Sequence, residues 1–426
     1  MTTPSPRRIA ALAFALSLLG GCESTGLEAY SGPIESAEAG RGGEAPAAVG
    51  DGPYPYRFED LAPSHRPDPK SDEAGLWLVM DKVERTVRTA GNRIRDERLN
   101  AYVQSVACRV TGPHCGDIRV YLMQVPAFNA SMAPNGMMHI WSGLLLRVQN
   151  EAQLAAVIGH EAGHYLRRHS LQRLRDIIDS TNTLVFLQIG VAAAGVGYVG
   201  DTLTLMTLGQ ISAFSRDNER EADGYGLLLL SRAGYDPGEA WKVWDRLERE
   251  TKARKDRRER DLFTATHPAP AERLDALKTL AKRVDDGKPK DLGRRRFLDA
   301  ILPHRAGFLR DELHLRQYDS LEVLLDILIK DGANPAELHF FKGELHRLRG
   351  KDGDLEKSLK SFAAAKAAPG EAPPEIDRSM GLVHRKLGND AEARAAFERY
   401  LRNHPDAPDK EMIRHLLRPK EAPEAS

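Results

Sequence analysis

The chain has 426 residues, which is enough for two or three domains, each with its own hydrophobic core. Lysine plus arginine and aspartate plus glutamate each number 61, so the formal net charge is zero. This balance gives no indication of nucleic acid as a partner.

The N-terminus has the pattern of a bacterial lipoprotein signal. Two arginines precede an apolar run, Ile9 to Leu19, and the following Gly-Gly-Cys22 completes a lipobox, in which the cysteine is lipidated. We therefore predict a signal peptide over residues 1–22 with a lipid on Cys22; an uncleaved anchor and an ordinary signal peptide are the alternatives. Glu23 is not the aspartate associated with inner-membrane retention, which favours the outer membrane as the anchor site of a periplasmic protein.

The next segments predict a tether and then the first elements of a folded domain. Residues 23–67 are rich in Gly, Ala, Glu, Pro and Ser, so they are predicted to form a flexible tether. A helical pattern of apolar residues runs from about Ser71 to Val110 and predicts core-forming helices. Ile118 to Val125 alternates as a strand does, and Met137 to Trp141 is typical of a second strand after a turn at Pro134-Asn135-Gly136.

Cys108 and Cys115 are the two cysteines that remain if Cys22 carries lipid. They flank Thr111-Gly112-Pro113, a turn that could bring the two sulfur atoms together. An oxidising periplasm favours a disulfide between them. Two free thiols acting as metal ligands are the alternative, which fits this spacing and compartment poorly.

The segment His160-Glu161-Ala162-Gly163-His164 lies in an apolar run, Leu154 to Leu166, that is typical of a helix. Residues four apart share a helix face, so His160 and His164 could hold one metal ion together. Glu161 falls on the core-facing side, where a carboxylate is costly unless it is paired or near a cation. The pattern predicts one Zn2+ per chain with Glu161 as general base, and a chance match is the alternative.

The flanks of this helix suggest how substrate could bind. Asn150 with Gln153 has the capping-box pattern of a helix start. The strand Met137 to Trp141 precedes the helix, and a peptide could add along an exposed edge there by backbone hydrogen bonds. His139 is interpreted as a strand-packing residue and His169 as a helix C-terminal cation or cap, rather than as ligands.

The most apolar internal stretch, Thr183 to Gly200, is interpreted as a buried or membrane-surface helix, with a membrane span as the alternative. A second polar helix opens at Ser215. Glu219 and Asp223 are four apart on it, so Glu219 is the candidate third ligand and Asp223 could orient a ligand histidine. From spacing alone, Glu221 competes with Glu219, and an ordinary charged helix start remains open.

Several motifs occur together between Asn129 and His267. In order they are Asn129-Ala130, Pro134-Asn135-Gly136, His160-Glu161-x-x-His164 and Ser215-Arg216-x-x-Glu219-x-Glu221-Ala222-Asp223-x-x-Gly226. The combination resembles the zinc metallopeptidase family that contains CAAX prenyl protease and HtpX, and within it the periplasmic BepA-like proteases with C-terminal tetratricopeptide repeats. The resemblance implies a zincin-like fold, Glu219 as third ligand and Asp223 as a catalytic partner. The Cys108/Cys115 pair departs from the family core.

Thr266-His267-Pro268 with Arg273 is similar to an element that follows the core in soluble members of this family. The resemblance implies that His267 could cover the open zinc position and hold the enzyme inactive. The alternative is a surface histidine in the turn before a helix from Ala271 to Leu280.

The C-terminal third has the spacing of helical repeats. Pro374 to Pro405 fits the 34-residue tetratricopeptide pattern, and a degenerate copy begins at Ala336 with Gly343 and Gly350 aligned to Gly381 and Gly388. Residues 308–330 predict a further helical hairpin. The prediction is a short α-solenoid that binds partner proteins; a helical cap on the protease domain is the alternative.

The predicted fold class is α+β, mostly α: a metallopeptidase domain with a small sheet over residues 68–285, then the repeat domain over 300–418. The predicted function is a lipid-anchored periplasmic zinc endopeptidase acting on misfolded or stalled envelope proteins. The alternative is a repeat-based outer-membrane assembly factor or chaperone with a latent or structural zinc site. An integral prenyl-protein protease would need spanning helices that the sequence lacks.

Overall fold

The computed structural model describes residues 60–180, 214–254, 267 and 270–418. The predicted signal peptide, most of the tether and the apolar stretch Thr183 to Gly200 lie outside these residues. Among the described residues, no helix combines the length and apolar character that a membrane span requires. The described end of the tether packs on the body, because Leu61 is buried and its N–H donates to the carbonyl of Leu166.

The fold begins with two helices, α1 (Asp72–Thr89) and α2 (Glu97–Thr111). Each starts at a capping side chain: Ser71 accepts from the N–H of Ala74, and Asp96 accepts from the N–H of Leu99. A short 3-10 turn follows α2. A disulfide joins Cys108 in α2 to Cys115 in that turn, with Cα atoms 4.4 Å apart.

A three-stranded sheet comes next, with strands β1 (Arg119–Met123), β2 (Ala130–Met132) and β3 (Met137–Trp141). The strand order is β1-β3-β2, with β1 parallel and β2 antiparallel to β3. The prediction that β3 offers an exposed edge is therefore wrong, because β3 is paired on both sides. The edge strand near the helix that contains the His-Glu-x-x-His sequence is β2. Its three residues are too few to give a clear alternating pattern in the sequence.

The helix with the His-Glu-x-x-His sequence is α4 (Glu151–Leu166), preceded by the short α3 (Ser142–Arg147) and followed by α5 (His169–Ser180). Asn150 caps α4 as predicted, accepting from the N–H of Gln153. The side chain of Gln153 bonds back to the N–H of Gln149 instead of that of Asn150.

Helix α6 (Arg216–Arg232) lies against α4 at very short range. Glycines allow this approach: a Cβ atom on Gly226 would lie 2.8 Å from the backbone nitrogen of His160, and one on Gly163 would lie 3.0 Å from the carbonyl oxygen of Ala222. The small residues Ala222 and Gly226 thus permit close packing of the two helices. Helices α7 (Ala240–Ala253) and α8 (Pro270–Val284) complete this part of the fold.

The C-terminal region is entirely helical among the described residues. Its helices are α9 (Arg294–His314), α10 (Tyr318–Asp331), α11 (Pro335–Arg349), α12 (Asp354–Ala367), α13 (Ile376–Leu387), α14 (Asp390–Asn403) and α15 (Lys410–Leu417). One hydrophobic core continues from α2 and the sheet through α4 and α9 into this region.

The hairpins α11–α12 and α13–α14 share one packing detail. Gly343 faces the ring of Phe362, and Gly381 faces the ring of Phe397; a Cβ atom on either glycine would lie 2.4–2.5 Å from the ring. Both first helices also end at a glycine with positive φ, Gly350 and Gly388. The pairs of glycines that the sequence aligns thus hold equivalent positions.

Candidate metal centre

Four buried side chains from two helices and one loop position meet at a single point. His160 and His164 lie one turn apart on α4, with their Nε2 atoms 3.1 Å apart. Glu219, in the first turn of α6, places Oε2 3.5 Å from Nε2 of His160 and Oε1 3.4 Å from Nε2 of His164. His267 follows α7 in the chain, and its Nδ1 is 2.9 Å from Oε1 of Glu219.

The possible ligand atoms of His160, His164, Glu219 and His267 all lie within 4.8 Å of one another. We call these residues the ligand group. Three imidazoles and one carboxylate are the donor types that zinc prefers in proteins. The four residues therefore fit a divalent metal ion, and the structure brings the predicted set together with His267 included.

The protonation states suit a cation. Burial, helped by the charge of Arg273, lowers the pKa of His160, and burial lowers the pKa of His164 well below its usual range, so both rings keep free lone pairs. Burial alone would raise the pKa of Glu219, but His267 and His164 hold it well below the usual range. Burial alone would lower the pKa of His267, but Glu219 raises it. The buried carboxylate of Glu219 also lies beside the neutral rings of His160 and His164, and a cation would stabilise such a site.

Glu161 lies next to the ligand group. Its Oε1 is 3.7 Å from Nε2 of His267 and has no hydrogen-bond partner among the described residues. The backbone N–H of Met132 in β2 donates to its carboxylate, and burial raises its pKa to about 7. The structure thus places a buried carboxylate of near-neutral pKa between the ligand group and the edge strand.

Asp223 supports His160 from behind. Its Oδ1 is 3.0 Å from Nδ1 of His160, so the opposite ring nitrogen faces the ligand group. Arg273 of α8 donates to both oxygens of Asp223, at 2.8 and 2.6 Å, and its Nη1 lies 2.9 Å from Oε2 of Glu219. Burial alone would raise the pKa of Asp223, but Arg273 lowers it, and these contacts suit a positioning role.

His164 has a different support. The ring of Phe214 stacks on it with centroids 3.9 Å apart, and Nδ1 of His169 is 2.9 Å from its own Nδ1. His169 is not at a helix C-terminus as interpreted from the sequence, since it begins α5. Glu221 contacts His169 instead of joining the ligand group.

His139 and the cysteine pair lie away from this centre. His139 is buried in β3 with its ring edge against Tyr121, in keeping with a strand-packing residue. Among the described residues, neither His139 nor a cysteine belongs to the ligand group.

This arrangement matches the pattern of a His-Glu-x-x-His metallohydrolase site, in which one carboxylate on a second helix would be the third ligand. Residues 93–281 match the model of Peptidase family M48. That match covers less than half of the chain, and the residues within it are similar to the M48 peptidases.

Curated relatives carry the same class of activity in their names. The mitochondrial metalloendopeptidase OMA1 of Schizosaccharomyces pombe is 32% identical over 157 residues, which are 36% of this chain and 44% of that protein. The beta-barrel assembly-enhancing protease of Escherichia coli K12 is 28% identical over 215 residues, 48% of this chain and 43% of that protein. A putative beta-barrel assembly-enhancing protease of Vibrio cholerae is 27% identical over 205 residues, 46% of this chain and 41% of that protein. The chain covers less than half the length of each of these relatives.

Proposed function

We propose that this chain is a zinc-dependent metalloendopeptidase in which Glu161 is the general base. The observation that carries the proposal is the position of Glu161, buried beside the ligand group with a pKa of about 7. A base with a pKa near the working pH can take a proton from the attacking water and return it to the leaving amine. A zinc ion held by His160, His164 and Glu219 would supply a Lewis acid for the substrate carbonyl.

Substrate is proposed to bind along the outer edge of β2, which pairs with no second strand among the described residues. The N–H of Ala133 donates to the carbonyl of Met137, and the N–H of Trp141 donates to that of Asn129. Every second residue of this segment therefore directs its backbone hydrogen-bonding groups towards β3. Ala130 and Met132 therefore present their backbone groups on the opposite side, where the N–H of Met132 already meets Glu161. An extended peptide pairing there would be held through its backbone beside Glu161, with little dependence on its sequence.

The proposed setting is the periplasm, with the chain attached to the outer membrane through a lipid on Cys22. The proposed substrates are misfolded or stalled envelope proteins. Recognition through backbone bonds suits such substrates, because unfolded chains expose their backbone. Two relatives named beta-barrel assembly-enhancing protease agree with this setting.

Residues 300–418 are proposed to form a tetratricopeptide-like α-solenoid that binds a partner protein. The equivalent glycine and phenylalanine contacts in α11–α12 and α13–α14 support a repeated unit. The proposed partner is the outer-membrane assembly machinery, by analogy with the names of the bacterial relatives.

A second candidate function is an assembly factor or chaperone whose metal site is latent or structural. The position of His267 favours it, because its ring lies between Glu219 and Glu161 and takes space that substrate would need. If His267 holds the enzyme inactive, His267→Ala should raise cleavage of an unfolded substrate by an order of magnitude or more while zinc stays bound. Equal low cleavage by parent and variant, with zinc in both, would support the scaffold function.

The proposed peptidase is tested with casein as an unfolded substrate and a soluble form that lacks residues 1–22. Cleavage should stop when a chelator removes the metal and return when zinc is added back. Cleavage that persists in the metal-free protein would contradict a metallopeptidase.

A further inference from the structure

A chain of polar contacts runs from His164 away from the ligand group. Nδ1 of His164 is 2.9 Å from Nδ1 of His169, and Nε2 of His169 is 3.2 Å from Oε2 of Glu221. The other oxygen of Glu221 accepts from Nε of Arg167 at 2.6 Å. His164, His169 and Arg167 are each no more than 1% exposed.

The donors and acceptors along this chain can be assigned in only one order when His169 is neutral. A carboxylate accepts and does not donate, so His169 must carry its proton on Nε2, facing Glu221. Nδ1 of His169 then has a lone pair, and Nδ1 of His164 must donate to it. His164 consequently has no proton on Nε2, and that lone pair points into the ligand group.

We infer that His169 and Glu221 are positioning residues that fix the tautomer and the ring orientation of His164 for metal binding. The inference rests on the proposed metal site and assigns these two residues a part in building it. Asp223 contacts His160 directly, at 3.0 Å. His164 is supported by Glu221 only indirectly, through the imidazole of His169. Both histidines of α4 thereby present the lone pair of Nε2 to the same point.

Both rings are buried and Phe214 stacks on His164, so the contact between the two histidines is shielded from water. Loss of the acceptor would leave the N–H of His164 unsatisfied or let its proton move to Nε2, where it would block metal binding. Residues that orient a metal ligand in this way typically change metal affinity by roughly 10–100-fold when they are removed.

The test compares His169→Asn with His169→Leu in the full chain. Asparagine and leucine have nearly the same shape, but only asparagine places an oxygen near the position of Nδ1 that could accept from His164. The affinity for zinc is measured by competition with a chromophoric chelator, without reference to cleavage. We expect His169→Leu to weaken zinc binding by about 10–100-fold and His169→Asn to recover most of that loss.

Two results would overturn the inference: parent affinity in His169→Leu, or an equal loss in both variants. If the leucine variant does not fold, Glu221→Gln serves in its place, since the Glu221 side chain is 27% exposed and tolerates change better. That variant should bind zinc more weakly than the parent and alter the histidine tautomers seen by 15N NMR; unchanged affinity and tautomers would refute the proposed role. Zinc binding without cleavage in both the parent and His267→Ala would refute the peptidase while leaving this comparison intact.

Discussion

At the scale of single residues, Glu161 and Glu219 are both buried glutamates whose carboxyl groups have opposite pKa shifts. Burial raises the pKa of Glu161 to about 7, whereas the neighbouring His267 and His164 hold that of Glu219 well below its usual range. The difference follows from contacts, because the two side chains are equally shielded from water. One carboxylate is thereby suited to exchange protons and the other to remain a ligand.

His139 gives a pH-dependent stability that is separate from the metal centre. Burial lowers its pKa from near 6.5 to about 4. The unfolded chain therefore binds a proton more readily at this histidine. Its contribution to the free energy of unfolding is fully present above pH 6.5 and is lost as the pH drops towards 4. We expect this histidine to account for up to about 3 kcal/mol of that loss, and His139→Met to flatten the profile.

The measurement is the free energy of unfolding of metal-free parent and variant by urea at several pH values between 4 and 7.5. Other groups titrate in the same range. The contribution of His139 is therefore taken from the difference between parent and variant in how the free energy of unfolding changes with pH. Parallel profiles for parent and variant would show that His139 is protonated equally in the folded and unfolded chains.

At the scale of elements, the ligand group depends on the close contact of α4 and α6. Glu219 reaches the two histidines because Gly226 and Gly159 let the helix backbones approach. Gly226→Ala should push α6 outward, since its Cβ would lie 2.8 Å from a backbone nitrogen that cannot move aside. We expect a loss of stability of about 1–3 kcal/mol and weaker zinc binding.

Gly307→Ala in α9 is the matched control, because no atom lies within 4 Å of the Cβ it would add. This variant should gain about 0.4–1 kcal/mol from the reduced freedom of the unfolded chain. The close-packing account fails if the two alanine variants change stability and zinc affinity in the same direction.

The sequence predicts local elements of this site well and non-local ones poorly. The cap at Asn150 and the helix of His160 follow from local patterns. The central position of β3 could not be predicted, since strand order depends on pairing between distant segments. The contact of His169 with His164 depends on Arg168, a non-glycine residue with φ of +57° that turns the chain sharply after α4. Arginine gives no sequence signal for that conformation.

At the scale of the whole molecule, one buried arginine joins the peptidase domain to the C-terminal helices. Arg147 of α3 donates to Glu250 of α7 at 2.8 Å and to Glu312 of α9 at 2.5 Å. All three side chains are at most 5% exposed. Burial raises the pKa of Glu250 in spite of the nearby Arg147, so the arginine is essential for holding two carboxylates in this interior.

Arg147→Met should therefore destabilise the protein by about 3–5 kcal/mol, because it leaves two buried carboxylates without their cation. Urea unfolding followed by circular dichroism measures this loss. Arg295→Met is the control, since the Arg295 side chain is 95% exposed and lies 3.9 Å from its partner Asp299. A loss no greater than that of the control would show that the buried cation is dispensable.

The most direct test of the central claim compares the parent with Glu161→Gln, with zinc content and casein cleavage measured on the same samples. The substitution keeps the size of the side chain but removes its ability to take a proton. We predict equal zinc in both proteins and a loss of cleavage of at least about 100-fold in the variant. Undiminished cleavage by a zinc-loaded variant would contradict the assignment of Glu161 as the base.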